Sequence, residues 1–151
     1  MKPFLCIILS ALLAQFATAQ SFKQVHWTYS AKKITDKTYE IHMSATISGD
    51  YHLYAQDAGG DGPVPTAFTF VKSPLLLLDG PVRENGKLIR KFESTWGHDV
   101  KYYEHAVDFV QTVKVKGSAK VNIAGKVEFM VCNERLCEQP STIDIKVNIG
   151  G

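Results

Sequence analysis

The chain has 151 residues, 45% of them hydrophobic, with 17 Lys and Arg against 15 Asp and Glu. That length supports one domain with a real core. A near-neutral balance without basic runs gives no basis for nucleic acid or anionic membranes as partners.

The first segment reads as an address rather than as part of the fold. Met1-Lys2 supplies a short positive start, Phe4 to Phe16 is almost wholly apolar, and Ala17-Thr18-Ala19 gives the small-x-small pattern of a cleavage site. Residues 1–19 are expected to be a secretory signal peptide, with cleavage after Ala19. The apolar run is short for a bilayer span, which takes about 20 residues. Cys6 leaves with this peptide. The expected domain is residues 20–151, with 16 basic and 15 acidic residues because only Lys2 is lost. No later apolar stretch is long enough to insert into a membrane, so the exported domain is expected to be soluble in the periplasm.

Period-2 alternation dominates the remainder of the chain. Phe22, Val25, Trp27 and Tyr29 suggest a first strand with imperfect spacing. Tyr39, Ile41, Met43, Ala45 and Ile47 alternate with polar residues, and Ala67–Val71 and Leu88-Ile89 suggest shorter strands. Val107, Phe109, Gln111, Val113 and Val115 nearly alternate, as do Val127, Phe129 and Val131, and then Ile143, Ile145, Val147 and Ile149. Each run predicts a strand with one face buried. Turn signals separate them: Gly49-Asp50, Gly59 to Pro63, Asp79-Gly80-Pro81, Asn85-Gly86, Gly117-Ser118 and Gly125-Lys126. No helical period persists over three turns. Seven to nine strands predict an all-β, immunoglobulin-like antiparallel β-sandwich, with a closed barrel as the alternative.

Without Cys6, two cysteines remain, and export places both where a disulfide persists. Cys132 closes the expected strand Gly125–Val131, and Cys137 precedes Pro140 and the expected strand Thr142–Ile149. Asn133-Glu134-Arg135-Leu136 would connect them as a hairpin. Two readings stand at this point. The pair is a structural staple in an exported binding module, or it is an exchangeable redox pair. The ring is small, so loop entropy gives it only roughly 2 kcal/mol, and a hairpin tip is open to an incoming thiolate. Arg135 would favour a thiolate there, while Glu134 and Glu138 would oppose it.

The segment Gly125-Lys-Val-Glu-Phe-Met-Val-Cys132-Asn-Glu-Arg-Leu-Cys137-Glu-Gln-Pro140 resembles the cysteine-bearing hairpin of the N-terminal periplasmic domain of DsbD, the thiol:disulfide interchange protein. Val25-His-Trp27, Gly49-Asp-Tyr-His-Leu-Tyr54, Gly62-Pro-Val-Pro-Thr66 with Phe68, and Val100 to Glu104 leading into Val107-Asp-Phe109 agree in order. The resemblance implies an immunoglobulin-like fold and a thiol:disulfide oxidoreductase role for Cys132 and Cys137, without cofactor or metal. It also implies thioredoxin-like periplasmic partners, and Cys137 as the sulfur that forms the mixed disulfide. The family shields its pair with an aromatic cap loop. Phe92 to Gly97 is the matching stretch, so Trp96, or else Phe92, is the candidate shield, with Tyr51 and Tyr54 lining the same surface. The family's proteins continue into a membrane domain and a thioredoxin-like domain, so a separate membrane electron carrier is expected to supply this one. Only Pro140 stands where the family usually has two prolines.

Other constellations carry less. His26, His42, His52, His98 and His105 form no tight ligand pair and read as strand-surface or loop residues. Asp57 and Asp61 lack calcium-loop spacing and read as turn formers. No hydrolase, nucleotide or nicotinamide motif is present.

Overall fold

The structure, a computed structural model, describes residues 24–150. The expected signal peptide, Cys6 and Phe22 therefore lie outside the described residues. Among the described residues, eleven strands run in chain order: β1 (Val25–Lys33), β2 (Thr38–Ile47), β3 (His52–Tyr54), β4 (Ala67–Phe70), β5 (Leu76–Gly86), β6 (Ile89–Glu93), β7 (His98–Glu104), β8 (Ala106–Val115), β9 (Val121–Phe129), β10 (Val131–Cys132) and β11 (Ser141–Ile149). All pairings are antiparallel. They form three sheets, ordered β1-β2-β8-β5, β10-β3-β7-β6 and β11-β9-β4.

The first sheet packs across one core against the other two. Ile41, Met43, Phe109 and Val113 from the first sheet meet Leu53, Tyr103 and Val131 from the second and Ile123, Val127, Phe129 and Ile145 from the third. This is the sandwich that the alternation predicts. The sheets keep free edges at β1, β5, β6, β10, β4 and β11, so the barrel alternative does not form. Each large side chain fully withdrawn from water here contributes about 1.5–3 kcal/mol. Trp27 joins this core through ring contacts with Phe68, Phe109 and Phe129. Gln111, polar but placed on an apolar phase, is buried and satisfied. Its amide donates to the Gly80 and Thr112 carbonyls at 3.1 and 2.8 Å.

Three expectations are corrected. Asp79-Gly80-Pro81 lies within β5, where the register shifts between Asp79 and Arg83, and Gly125-Lys126 lies within β9, so neither divides strands, whereas Asn85-Gly86 ends β5 with two residues between it and β6. Edge strands tolerate Pro and bulges because one side needs no ladder. The expected strand Gly125–Val131 begins earlier, at Val121, and breaks at Met130, so that β10 leaves the third sheet for the second. That switch puts Cys132 beside β3. The three-residue β3 and the seven-residue β7 also escape the alternation reading.

The second sheet has two apolar faces. Leu53, Tyr103 and Val131 point into the sandwich, while their neighbours Tyr54, Tyr102, Met130 and Cys132 point outward. That outer face is covered by Ala58, Val64 and Trp96, making a small second core directly under the cysteine pair.

Candidate functional site

Cys132 and Cys137 are disulfide-bonded, with Cα atoms 4.0 Å apart across an isolated antiparallel bridge. Their loop is closed by its own chemistry. The Asn133 side-chain oxygen accepts hydrogen bonds from the Arg135 and Leu136 amides, both at 2.9 Å. The Asn133 amide donates to the Leu136 carbonyl, and the Glu138 amide donates to the Val131 carbonyl. Asn is suited to this position because its side chain imitates a backbone turn. The expected hairpin thus forms.

The two cysteines differ in exposure. Cys132 is 1% exposed and belongs to the second core, whereas Cys137 lies on the surface. Nearby charges are matched in pairs. Lys91 on β6 meets Glu134 at 3.0 Å and Glu93 at 3.4 Å, and Arg135 faces Asp50 at 3.9 Å. Exposed pairs of this kind contribute at most about 1 kcal/mol. The pairing does mean that neither Arg135 nor Glu134 stands as a lone charge beside the sulfurs.

Of the four aromatic candidates, the structure brings two to the cysteine cluster. Tyr54 is 1% exposed within it, and Trp96, from the β6–β7 turn, packs against it. The Trp96 indole N–H donates to the Tyr54 hydroxyl at 3.4 Å. Gly62 fits beneath the indole: a Cβ at Gly62 would lie 2.2 Å from the ring. Burial raises the Tyr54 pKa, against the opposing pull of the Trp96 hydrogen bond. Tyr51 instead packs on the sandwich core. Phe92 is 62% exposed, and the β6–β7 register alternates it away from the face that carries Lys91 and Glu93.

The loop between β3 and β4 holds this cover down. Thr66 donates from its hydroxyl to the Tyr54 carbonyl at 2.6 Å, and the Val64 amide points at the Met130 sulfur. His98 binds the loop from the other side, its ring nitrogens 2.9 Å from the Asp99 carbonyl and 2.7 Å from the Asp61 carbonyl. Asp57 is paired with Lys101.

Sequence reasoning missed His52. It is the register partner of Cys132 and is buried, not a strand-surface residue. Its distance from the cysteines along the chain hid it, and only the strand switch at Met130 brings the two together. Among the described residues, no group of three or more His, Cys, Asp or Glu side chains could hold a metal. No helix among them is long and apolar enough to cross a membrane.

The family description "Thiol:disulfide interchange protein DsbD, N-terminal" matches residues 17–149. No curated protein sequence matches the chain. Among solved structures, the N-terminal periplasmic domain of ScsB from Proteus mirabilis is similar, with a TM-score of 0.59 and 15% identity. That match covers 85% of this chain and 47% of the other, so this chain spans about half of that one. The reduced DsbD N-terminal domain of Neisseria meningitidis matches with a TM-score of 0.53 and 15% identity over 83% of this chain and 86% of that one. The Neisseria meningitidis complex of the DsbD N-terminal and PilB N-terminal domains matches with a TM-score of 0.52 and 12% identity, covering 86% and 87%. At these identities the solved structures establish the fold.

Proposed function

The chain belongs to the family of the DsbD N-terminal domain, a family of thiol-disulfide interchange, and from that premise we propose that it relays electrons between periplasmic proteins through the Cys132–Cys137 pair. The observation that carries this reading is the asymmetry of the bonded pair: Cys137 on the surface, Cys132 buried beside it. An exchangeable disulfide needs one sulfur that a partner can approach and a second that is held in place to leave and return.

The partner's thiolate attacks the Cys137 sulfur, and the bond to Cys132 breaks with its electron pair remaining on Cys132. Cys132 is then the resolving thiol. A second partner thiol, or Cys132 itself, attacks the mixed disulfide and releases one product or the other. Trp96 is the shield: its packing on the Cys132 cluster, supported by Gly62 and Tyr54, restricts approach to the exposed side. The partners we propose are thioredoxin-like periplasmic proteins, with a separate membrane electron carrier as the source or sink.

Mixing tests the reading. The oxidised chain incubated with reduced thioredoxin-like protein should lose its disulfide, and Cys132→Ser incubated with oxidised thioredoxin-like protein should form a mixed disulfide through Cys137 as its thiolate opens the partner's bond. An oxidised chain that stays oxidised against excess reduced partner refutes the proposal.

A further inference from the structure

The second core contains a titratable group to which the exchange chemistry has so far assigned no work. His52 and Cys132 are register partners, and directly opposed residues of an antiparallel pair carry their Cβ atoms on one face, about 4.5–5.5 Å apart. The His52 ring is held on two sides, its centroid 4.2 Å from that of Tyr102 and 5.2 Å from that of Tyr54. Its Nε2 lies 3.3 Å from the Tyr54 hydroxyl.

The hydrogen bonds fix the tautomer. The Trp96 indole can only donate, so the Tyr54 oxygen accepts from it. Tyr54 is buried and its own hydrogen needs an acceptor, which His52 Nε2 provides. A neutral His52 that accepts at Nε2 carries its proton at Nδ1. Burial lowers the His52 pKa, Glu93, Glu104 and Glu134 oppose that shift, and Lys91 adds to it. With Tyr54, Tyr102 and Cys132 these are the groups facing the ring from its own strand, from β7, from β6, from β10 and from the cysteine loop.

We infer that His52 is a positioning residue for Cys132, donating its Nδ1–H to the Cys132 sulfur when the disulfide opens. The inference rests on the exchange reading above. The incoming thiolate forms its bond to the Cys137 sulfur, and the old S–S bond breaks with both electrons left on the Cys132 sulfur. His52 then hydrogen-bonds that thiolate without giving up the proton. A buried thiolate without such a donor is penalised by desolvation. With it, the leaving sulfur stays anionic and ready to return.

The test is a thiolate titration of the phosphine-reduced Cys137→Ser protein, in which Cys132 is the one thiol among residues 24–150. Adding His52→Phe, which keeps an aromatic ring against Tyr102, should cut the thiolate fraction at a given pH about tenfold, a shift of about one pKa unit. His52→Gln, a neutral donor, should recover most of it. Titration curves that coincide with and without the His52→Phe substitution overturn the inference. Should His52→Phe fail to fold, the ring-nitrogen shifts of His52 in the unmodified chain decide: Nδ1 should move on reduction, and an unchanged Nδ1 overturns the inference. Neither measurement uses a protein partner, since Cys137→Ser has no such bond and phosphine opens it in the unmodified chain, so failure here is distinct from failure to exchange with thioredoxin.

Discussion

Cys132 and Cys137 are bonded across a single bridge, yet one is withdrawn into a small apolar core and the other is open to solvent. The thiolate must be approachable to react. Cys132→Ser, which leaves the Cys137 thiol, is therefore predicted to react with an aromatic disulfide reagent at least about tenfold faster than Cys137→Ser does. Stopped-flow absorbance measures both rates.

Trp96 closes the other side of the site, with Gly62 in contact beneath it. Trp96→Ala should cost about 2 kcal/mol, below the range for a fully buried aromatic because the indole is only half-buried. It should also speed attack by small disulfides and thiols severalfold. Gly62→Ala should reproduce the faster attack, because its Cβ would collide with the indole and φ at Gly62 is +128°. Thermal melts and exchange rates of the two variants check this. A faster rate in neither would remove the shielding role.

The pH dependence of the cover follows from His98. Hydrogen bonds to the Asp61 and Asp99 carbonyls raise its pKa, in that order of size. A raised folded-state pKa gives stability that is fully present below the unfolded value of about 6.5 and is lost as pH rises through the folded value. His98→Gln should therefore lose stability relative to the unmodified chain at acidic pH, and the gap should narrow as pH rises past that window. Melting temperatures of both proteins across pH measure the difference, which also cancels the contribution of His52.

Much of the fold was legible in the residues themselves. Alternation at Ile41 to Ile47 and at Val107 to Val115 foretold the central strands, because a one-sided sheet must bury every second side chain. The cysteine hairpin was legible for the same local reason, with Asn133 supplying its turn. What alternation could not show was short or irregular. β5 hides its strand under Asp79-Gly80-Pro81 because an edge bulge uses the same residues as a turn. β3 and β10 have three and two residues, too few to show a period. The change of sheet at Met130 is a long-range event, and with it went the pairing of His52 with Cys132 and the burial of Tyr54. Tyr51 and Tyr54 looked equivalent, yet an odd separation along the chain sends them to opposite faces of β3 and its approach.

The disulfide closes a ring of a few residues, so its loop-entropy contribution is roughly 2 kcal/mol. Cys132→Ser combined with Cys137→Ser should lower stability by about that amount and leave the sandwich folded, because the core of Phe109, Phe129 and Ile41 does not depend on the bond. Denaturant unfolding of the double variant checks this. Complete unfolding would favour a structural staple.

The redox role requires that this bond open and close against protein thiols. Equilibrating the chain in glutathione redox buffers and reading its thiol state by alkylation answers that question. A reduction potential between about −270 and −180 mV is expected, within the span of thioredoxin-like partners. A potential below about −300 mV, where structural disulfides lie, would refute the relay.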